Sequence, residues 1–329
     1  MFAWESLDAL SHTLELCHIG PETRVIVIPD DRLDRDRAGL VRAAVARTGA
    51  EAIEVHPVRP SDPPDHSLVL LLAAEVDVIV TSRAEHAQAL ADSGPRVLLL
   101  EPDAVPHHFP PHANLRLRVR ALVDKINDST ELHISDDFGT ALDFDLVDAT
   151  TTFDDGLVGD NNLNATFPAG WVSAQPGHGC LNGSLVVLPG DGTISADRHV
   201  SSPVKIEIVE DHISAIHGES ADADVIRALL EFANDPAAYR AAGVAFGLNP
   251  GIQRVRPFDR QLLHPQLSRL AAGTISISFG MNLTTQRPGS APVALTFSLP
   301  GRTATIDGLP LTSHGQLQGN YAPDVYETT

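Results

Sequence analysis

Cysteine is nearly absent: Cys17 and Cys180 are the only two in 329 residues. So small a number excludes a disulfide framework and fits a reducing compartment. Basic residues are also few, 23 Lys and Arg against 43 Asp and Glu, for a net charge of −20. Phosphate repels such a chain unless it gathers a local basic face, so no nucleic-acid partner is expected. Arg116, Arg118 and Arg120 alternate over one short run and read as a solvated strand edge. No apolar run reaches membrane-spanning length, and MFAWESLDAL has no basic region ahead of an apolar core. No membrane contact and no secretory signal are expected, and the chain reads as cytoplasmic.

The first third alternates short apolar runs with helical spacing. Leu7, Leu10, Leu14 and Cys17 predict a helix, followed by a strand at Val25 to Ile28. A helix over Leu40 to Val45 ends at Gly49, and Ile53 to Val55 gives a second strand. Val69 to Leu72, Val76 to Val80 and Val97 to Leu100 read as further strands, with a helix at His86 to Ala91. This pattern predicts an open α/β domain with a parallel sheet over residues 1–120. The first strand is followed by Pro29-Asp30-Asp31-Arg32, where a dinucleotide fold needs glycines, so a nucleotide cofactor is not expected.

Pro106 to His112 holds three histidines among three prolines and contains no acidic or thiol partner, so it reads as an extended linker. Beyond it the pattern changes. Glu131 to Ser135 and Ala141 to Leu146 alternate about an Asp136-Asp137-Phe138-Gly139-Thr140 turn, which predicts a hairpin with one wet face. A strand at Val204 to Val209 and a helix with Ile226, Leu229, Leu230 and Ala233 on one face follow. Residues 121–329 therefore read as an α+β domain with strands curved around a cavity. No Gly-x-Ser-x-Gly elbow is present, which argues against a serine hydrolase.

The stretch from Asp160 to Pro189 carries the most information. Asn164, Pro168 and Gly170 lead into Trp171, then come Gly177, Gly179 and the apolar run Leu185 to Leu188. This layout, with the Gly-Thr turn before it and Gly247-Leu248-Asn249-Pro250-Gly251 after it, resembles the M29 metallo-aminopeptidases and the iron-dependent 2,5-dihydroxypyridine dioxygenases. The resemblance implies a metal held by glutamate, histidine and aspartate. At the matching positions stand Trp171, Gly243, Ser276 and Gln316, and only His314 keeps a ligand type. One imidazole does not make a stable site, so no metal and no other cofactor is expected.

What remains is a cleft of neutral groups. Trp171 offers a flat apolar platform with one N–H donor, while Asn249, Ser276, Asn282 and Gln316 supply donors and acceptors suited to peptide amides. The same residues also fit a role in satisfying the domain's own strands. His178 lies in a Gly-rich turn near the cleft, and His314 is the best single candidate for catalysis. Cys180 and His178 are too close in sequence to form a nucleophile–base pair, and His212, His217 and His264 read as surface residues. The expectation is a metal-free peptide-binding protein that assists maturation of a peptide natural product, with a basic or amine-bearing peptide as partner. The alternatives are a metal-dependent dioxygenase or aminopeptidase, a metal-free tailoring enzyme using His314, and a structural subunit. The resemblance further implies a homodimer or a heteromer with a related protein.

Overall fold

A computed structural model describes residues 4–28, 35–55, 75–82, 94–101, 104, 106–109, 113–159, 162–175, 177, 180–255, 265–280 and 294–324. The readings at Pro29 to Arg32, Val69 to Leu72 and His86 to Ala91, and those of His178, His264 and Asn282, lie outside the described residues. The chain forms two compact units, residues Met1–Ala113 with Asp154–Ala169, and residues Asn114–Phe153 with Gly170–Thr329. Among the described residues no helix is long and apolar enough to cross a membrane.

In the first unit, α1 (Trp4–Leu16) buries Leu7, Leu10 and Leu14 and packs on α2 (Arg35–Thr48). Strands β1 (Arg24–Ile28), β2 (Glu51–Glu54), β3 (Val78–Thr81) and β4 (Arg96–Leu100) pair in parallel. Their Val, Ile and Leu runs are those a sheet covered on both faces requires. Pro106 to His108 is a 3₁₀ turn rather than an extended linker, because Ser6 Oγ lies 2.7 Å from His107 Nδ1 and holds it against α1.

The second unit begins with α3 (Ala113–Asn127), which corrects the reading of Arg116, Arg118 and Arg120 as a strand edge. Leu115, Val119, Leu122 and Ile126 recur at helical spacing and are buried, and this wins over the alternation of the arginines. The strands that follow are β5 (Glu131–Ser135), β6 (Ala141–Asp145) and β7 (Thr150–Asp154). Next, β8 (Asn164–Phe167) leaves this unit and joins the parallel sheet beside β4, giving the order β2-β1-β3-β4-β8. Strands β9 (Trp171–Gln175), β10 (Leu181–Val187), β11 (Gly192–Thr193), β12 (Arg198–His199), β13 (Val204–Val209) and β14 (His212–His217) follow. After helix α4 (Ala221–Ala233) come β15 (Ala241–Gly247), β16 (Ile275–Gly280), β17 (Ala294–Leu299), β18 (Thr303–Ile306), β19 (Leu309–Ser313) and β20 (Gln316–Leu317). They build an eight-stranded sheet, β14-β13-β10-β6-β5-β18-β19-β20, and a seven-stranded sheet, β12-β11-β17-β16-β15-β9-β7. One apolar core is shared by both sheets, α3 and α4.

A buried ion cluster fastens the turns at one end of this core. The Arg302 guanidinium, 2% exposed, reaches Asp191 Oδ2 at 2.5 Å, Asp136 Oδ2 at 2.9 Å and the Val186 carbonyl at 2.8 Å. Three separate turns are thereby held to one side chain. Burial pushes the Asp191 carboxyl up to about 6 against the pull of Arg302, whereas hydrogen bonds from Thr140 and Phe138 outweigh burial at Asp136 and hold it low. Replacing Arg302 leaves two buried carboxylates without their cation. Arg302→Met should cost about 3–5 kcal/mol in urea unfolding.

Asp154 makes a second buried anion, accepting from Gly156 N at 2.8 Å and Thr166 N at 2.7 Å. Burial raises its carboxyl from 3.8 to about 7. A folded-state value above the unfolded one gives stability that is full below about pH 4 and lost as pH rises through 7. The chain should therefore lose on the order of 1–3 kcal/mol from this group between pH 5 and pH 8. Melting curves of the wild type and Asp154→Asn across that range test it: the variant should show a flatter dependence on pH.

Candidate functional site

Strict alternation in the seven-stranded sheet separates its two faces. One face carries Val172, Ala174, Val244, Phe246, Ile275, Ile277, Leu295 and Phe297, all buried in the core. The opposite face is polar and small. Ser173 pairs with Ala245, Ala245 with Ser276, Ser276 with Ser298, and Ser298 with Gly192, so one row runs across four strand pairs. The neighbouring row contains Gly243, Ser278 and Thr296. Ser278 Oγ and Thr296 Oγ1 lie 3.0 Å apart, and so do Ser298 Oγ and Ser268 Oγ.

Trp171 opens β9 on this polar face, opposite Gly247. A Cβ on Gly247 would meet the carbonyl oxygens of Ala271 at 2.4 Å and Arg269 at 2.5 Å, so backbone closes that end of the sheet. Glycine is needed at Gly170 as well, because its φ of +109° is left-handed and an added Cβ would lie 2.9 Å from Leu115 Cδ1. Asn249 sits beside Gly170, where its Oδ1 accepts from Gly251 N at 2.9 Å and caps the short helix Pro250–Val255.

The sheet thus brings together Trp171, Gly243 and Ser276, and places Asn249 at its end. It does not bring His314 and Gln316 to the same face. His314 lies on the exposed turn between β19 and β20 and Gln316 opens β20, in the other sheet, where His314 has φ +47° and its N–H donates to Thr303 Oγ1 at 3.1 Å. Gly315 follows, and a Cβ on Gly273 would come within 2.0 Å of its carbonyl oxygen. That turn borders a cleft of about 580 Å³, together with His199, Ser268, Asp191 and Arg302.

The resemblance implies a histidine and an aspartate two positions apart near the C-terminus, a spacing that puts both side chains on one face of a strand. Beside Ser276 the residues at that spacing are Thr296 and Ser298, so these two, rather than His314 and Gln316, complete the face. Sequence reading missed them although ALTFSL in β17 alternates plainly. It missed Gln175 too, which ends β9 on the polar face at 3% exposure.

The iron or zinc that the resemblance implies needs anionic or imidazole donors. Trp171, Gly243, Ser276, Thr296 and Ser298 provide three neutral hydroxyls, an indole and a bare backbone. Among the described residues no group of three His, Cys, Asp or Glu side chains is placed to hold a metal ion. These residues do not fit the metal.

A parallel α/β unit joined to a two-sheet unit with one polar sheet face defines a fold shared with dioxygenases and aminopeptidases. The chain belongs to the 2,5-dihydroxypyridine 5,6-dioxygenase (NicX) family, whose sequence model matches residues 5–319. It is similar to the solved 2,5-dihydroxypyridine dioxygenase from Pseudomonas putida KT2440, with TM-score 0.78 at 20% identity over 98% of both chains. It is also similar to wild-type AmpT from Thermus thermophilus, with TM-score 0.61 at 14% identity over 95% of this chain and 98% of that one. At these identities the likeness shows the fold alone. A curated 2,5-dihydroxypyridine 5,6-dioxygenase from Pseudomonas putida KT2440 is 24% identical over 179 residues, 54% of this chain. The match spans about half the length of that relative, 51%.

The shared face yields a gain-of-function test. The combined substitutions Ser276→His, Thr296→His and Ser298→Asp put two imidazoles and a carboxylate on adjacent positions. The triple variant should take up about one equivalent of ferrous or zinc ion by elemental analysis, and the wild type should take up none at this face.

Proposed function

We propose that this chain is a metal-free binding protein built on the dioxygenase and aminopeptidase fold, with a peptide as its ligand. The observation that supports this reading is the donor chemistry of one sheet face. Trp171, Gly243, Ser276, Thr296 and Ser298 share it, and none can neutralise a dication. Hydroxyls and amides are instead suited to the N–H and C=O groups of a peptide.

Charge narrows the ligand further. With net charge −20 the chain attracts basic or amine-bearing peptides and repels acidic ones, an effect that weakens with salt. Trp171 is half-buried, which leaves part of its ring open to stack on a side chain. Such a protein would present a peptide to other enzymes, as in the maturation of a peptide natural product.

Elemental analysis after incubation with ferrous and zinc ions, together with oxygen uptake on 2,5-dihydroxypyridine, tests the reading. Less than a tenth of an equivalent of metal and no oxygen uptake are expected. Stoichiometric iron with ring cleavage would overturn the proposal. Calorimetry with short peptides tests it from the other side, and basic peptides should bind more tightly at low salt than acidic ones.

A further inference from the structure

Two polar groups on the polar sheet face are buried and unsatisfied. Among the described residues, Gln175 Nε2 and Ser276 Oγ have no hydrogen-bond partner, on residues that are 3% exposed each. Native proteins leave very few such groups, because a buried donor or acceptor without a partner keeps its full desolvation cost. The two share a face by register: Gln175 lies two residues along β9 from Ser173, which pairs with Ala245 and through it with Ser276. Between them runs β15, which presents Gly243, Ala245 and Gly247 on this face. The floor between the two orphans is therefore bare backbone and one methyl group. Solvent reaches this region, since Trp171, Ala245 and Ser278 are all partly exposed.

We infer that Gln175 and Ser276 contact the ligand directly and that they read an uncharged amide. This rests on the binding reading above and names the chemistry of the same site. Gln175 Nε2 can only donate, so it requires a carbonyl oxygen; the Ser276 hydroxyl can take an N–H. Neither a carboxylate nor an ammonium group meets an opposite charge among the residues named on this face, and an unpaired ion there would be costly. A peptide backbone supplies both groups without charge. The two orphans flank one strand, roughly 10–12 Å apart at the backbone, which an extended segment of about three residues spans. Gly243 and Ala245 put no long side chain in the way of that segment.

The variants Gln175→Met and Ser276→Ala each remove one orphan with little change of shape. Two readouts follow, thermal melting of the free protein and calorimetry with N-acetyl-trialanine amide as the probe. In the free protein the melting temperature should stay the same or rise, because an unsatisfied group has been removed. Affinity for the probe should fall about tenfold with each substitution, the worth of one hydrogen bond. A drop of several degrees in the free variants would overturn the assignment, since it would mean the groups have partners inside the protein. Wild-type binding of the probe that neither substitution weakens would overturn the assignment while leaving the peptide reading intact. No binding of this probe or of any other short peptide to the wild type would overturn both.

Discussion

The period-two geometry of β9, β15, β16 and β17 is the constraint on which the rest of the second unit depends. Each strand must give one set of side chains to the core and the other to the opposite face. Phe246, Ile277 and Phe297 commit the first set to a dry, close-packed layer. The register then leaves no freedom for the second set. A slip of one residue in any of these strands would place phenylalanines on the polar face and hydroxyls in the core. The face that carries Ser276 and Ser298 is thus positioned by packing on its reverse side. Its chemistry can change while the packing on the reverse side holds the strands in register.

The turns at the end of the core depend on a different interaction. Arg302 gathers the Asp136 turn, the Asp191 turn and its own hairpin through a planar fork of donors, a geometry lysine does not offer. A Cβ on Gly273 would meet the backbone of Gly315, and a Cβ on Gly315 that of Gly301, so neither could carry a side chain. These two features fix the turn that bears His314. They place it at the border of the 580 Å³ cleft in the sandwich rim, and off the polar sheet face. The one imidazole that the sequence comparison favoured is therefore held in place by structural needs of its own turn.

Much of the fold could be read from the residues. The α1 spacing, the Asp136 to Thr140 hairpin and the strands at Val204 and Ile275 all follow from local periodicity. The hairpin is closed as its turn residues predict, with Asp136 accepting from Phe138 N at 2.8 Å and Thr140 N at 2.9 Å. What failed was information that is not local. Strand β8 pairs with β4 across more than sixty residues of sequence, and four residues of mixed polarity cannot announce such a partner. The arginines of α3 misled because a period of two was taken from three residues, while the buried period ran over twelve, from Leu115 to Ile126. At the site, Trp171, Gly243 and Ser276 could be placed from motif order, since each is anchored by a flanking glycine or apolar run. Thr296 and Ser298 could not, because hydroxyl residues in a strand are ordinary. Only the pairing with β16 gives them meaning.

Energetics explain why such a face would change as a set. A metal site that loses its cation keeps carboxylates and imidazoles crowded together, each one partly desolvated and some repelling the others. Removing a single ligand leaves the remaining charges worse off than before. Replacing all of them with hydroxyls, glycine and an indole removes the charge altogether, so folding no longer needs metal to be favourable. The neutral face is then consistent in itself, with Ser278 bound to Thr296 and Ser298 to Ser268. Against that background the two unsatisfied groups stand out. Ser278 and Thr296, and Ser298 and Ser268, find partners in each other. Among the described residues Gln175 Nε2 and Ser276 Oγ find none, and in the proposed reading the ligand supplies the partners they lack.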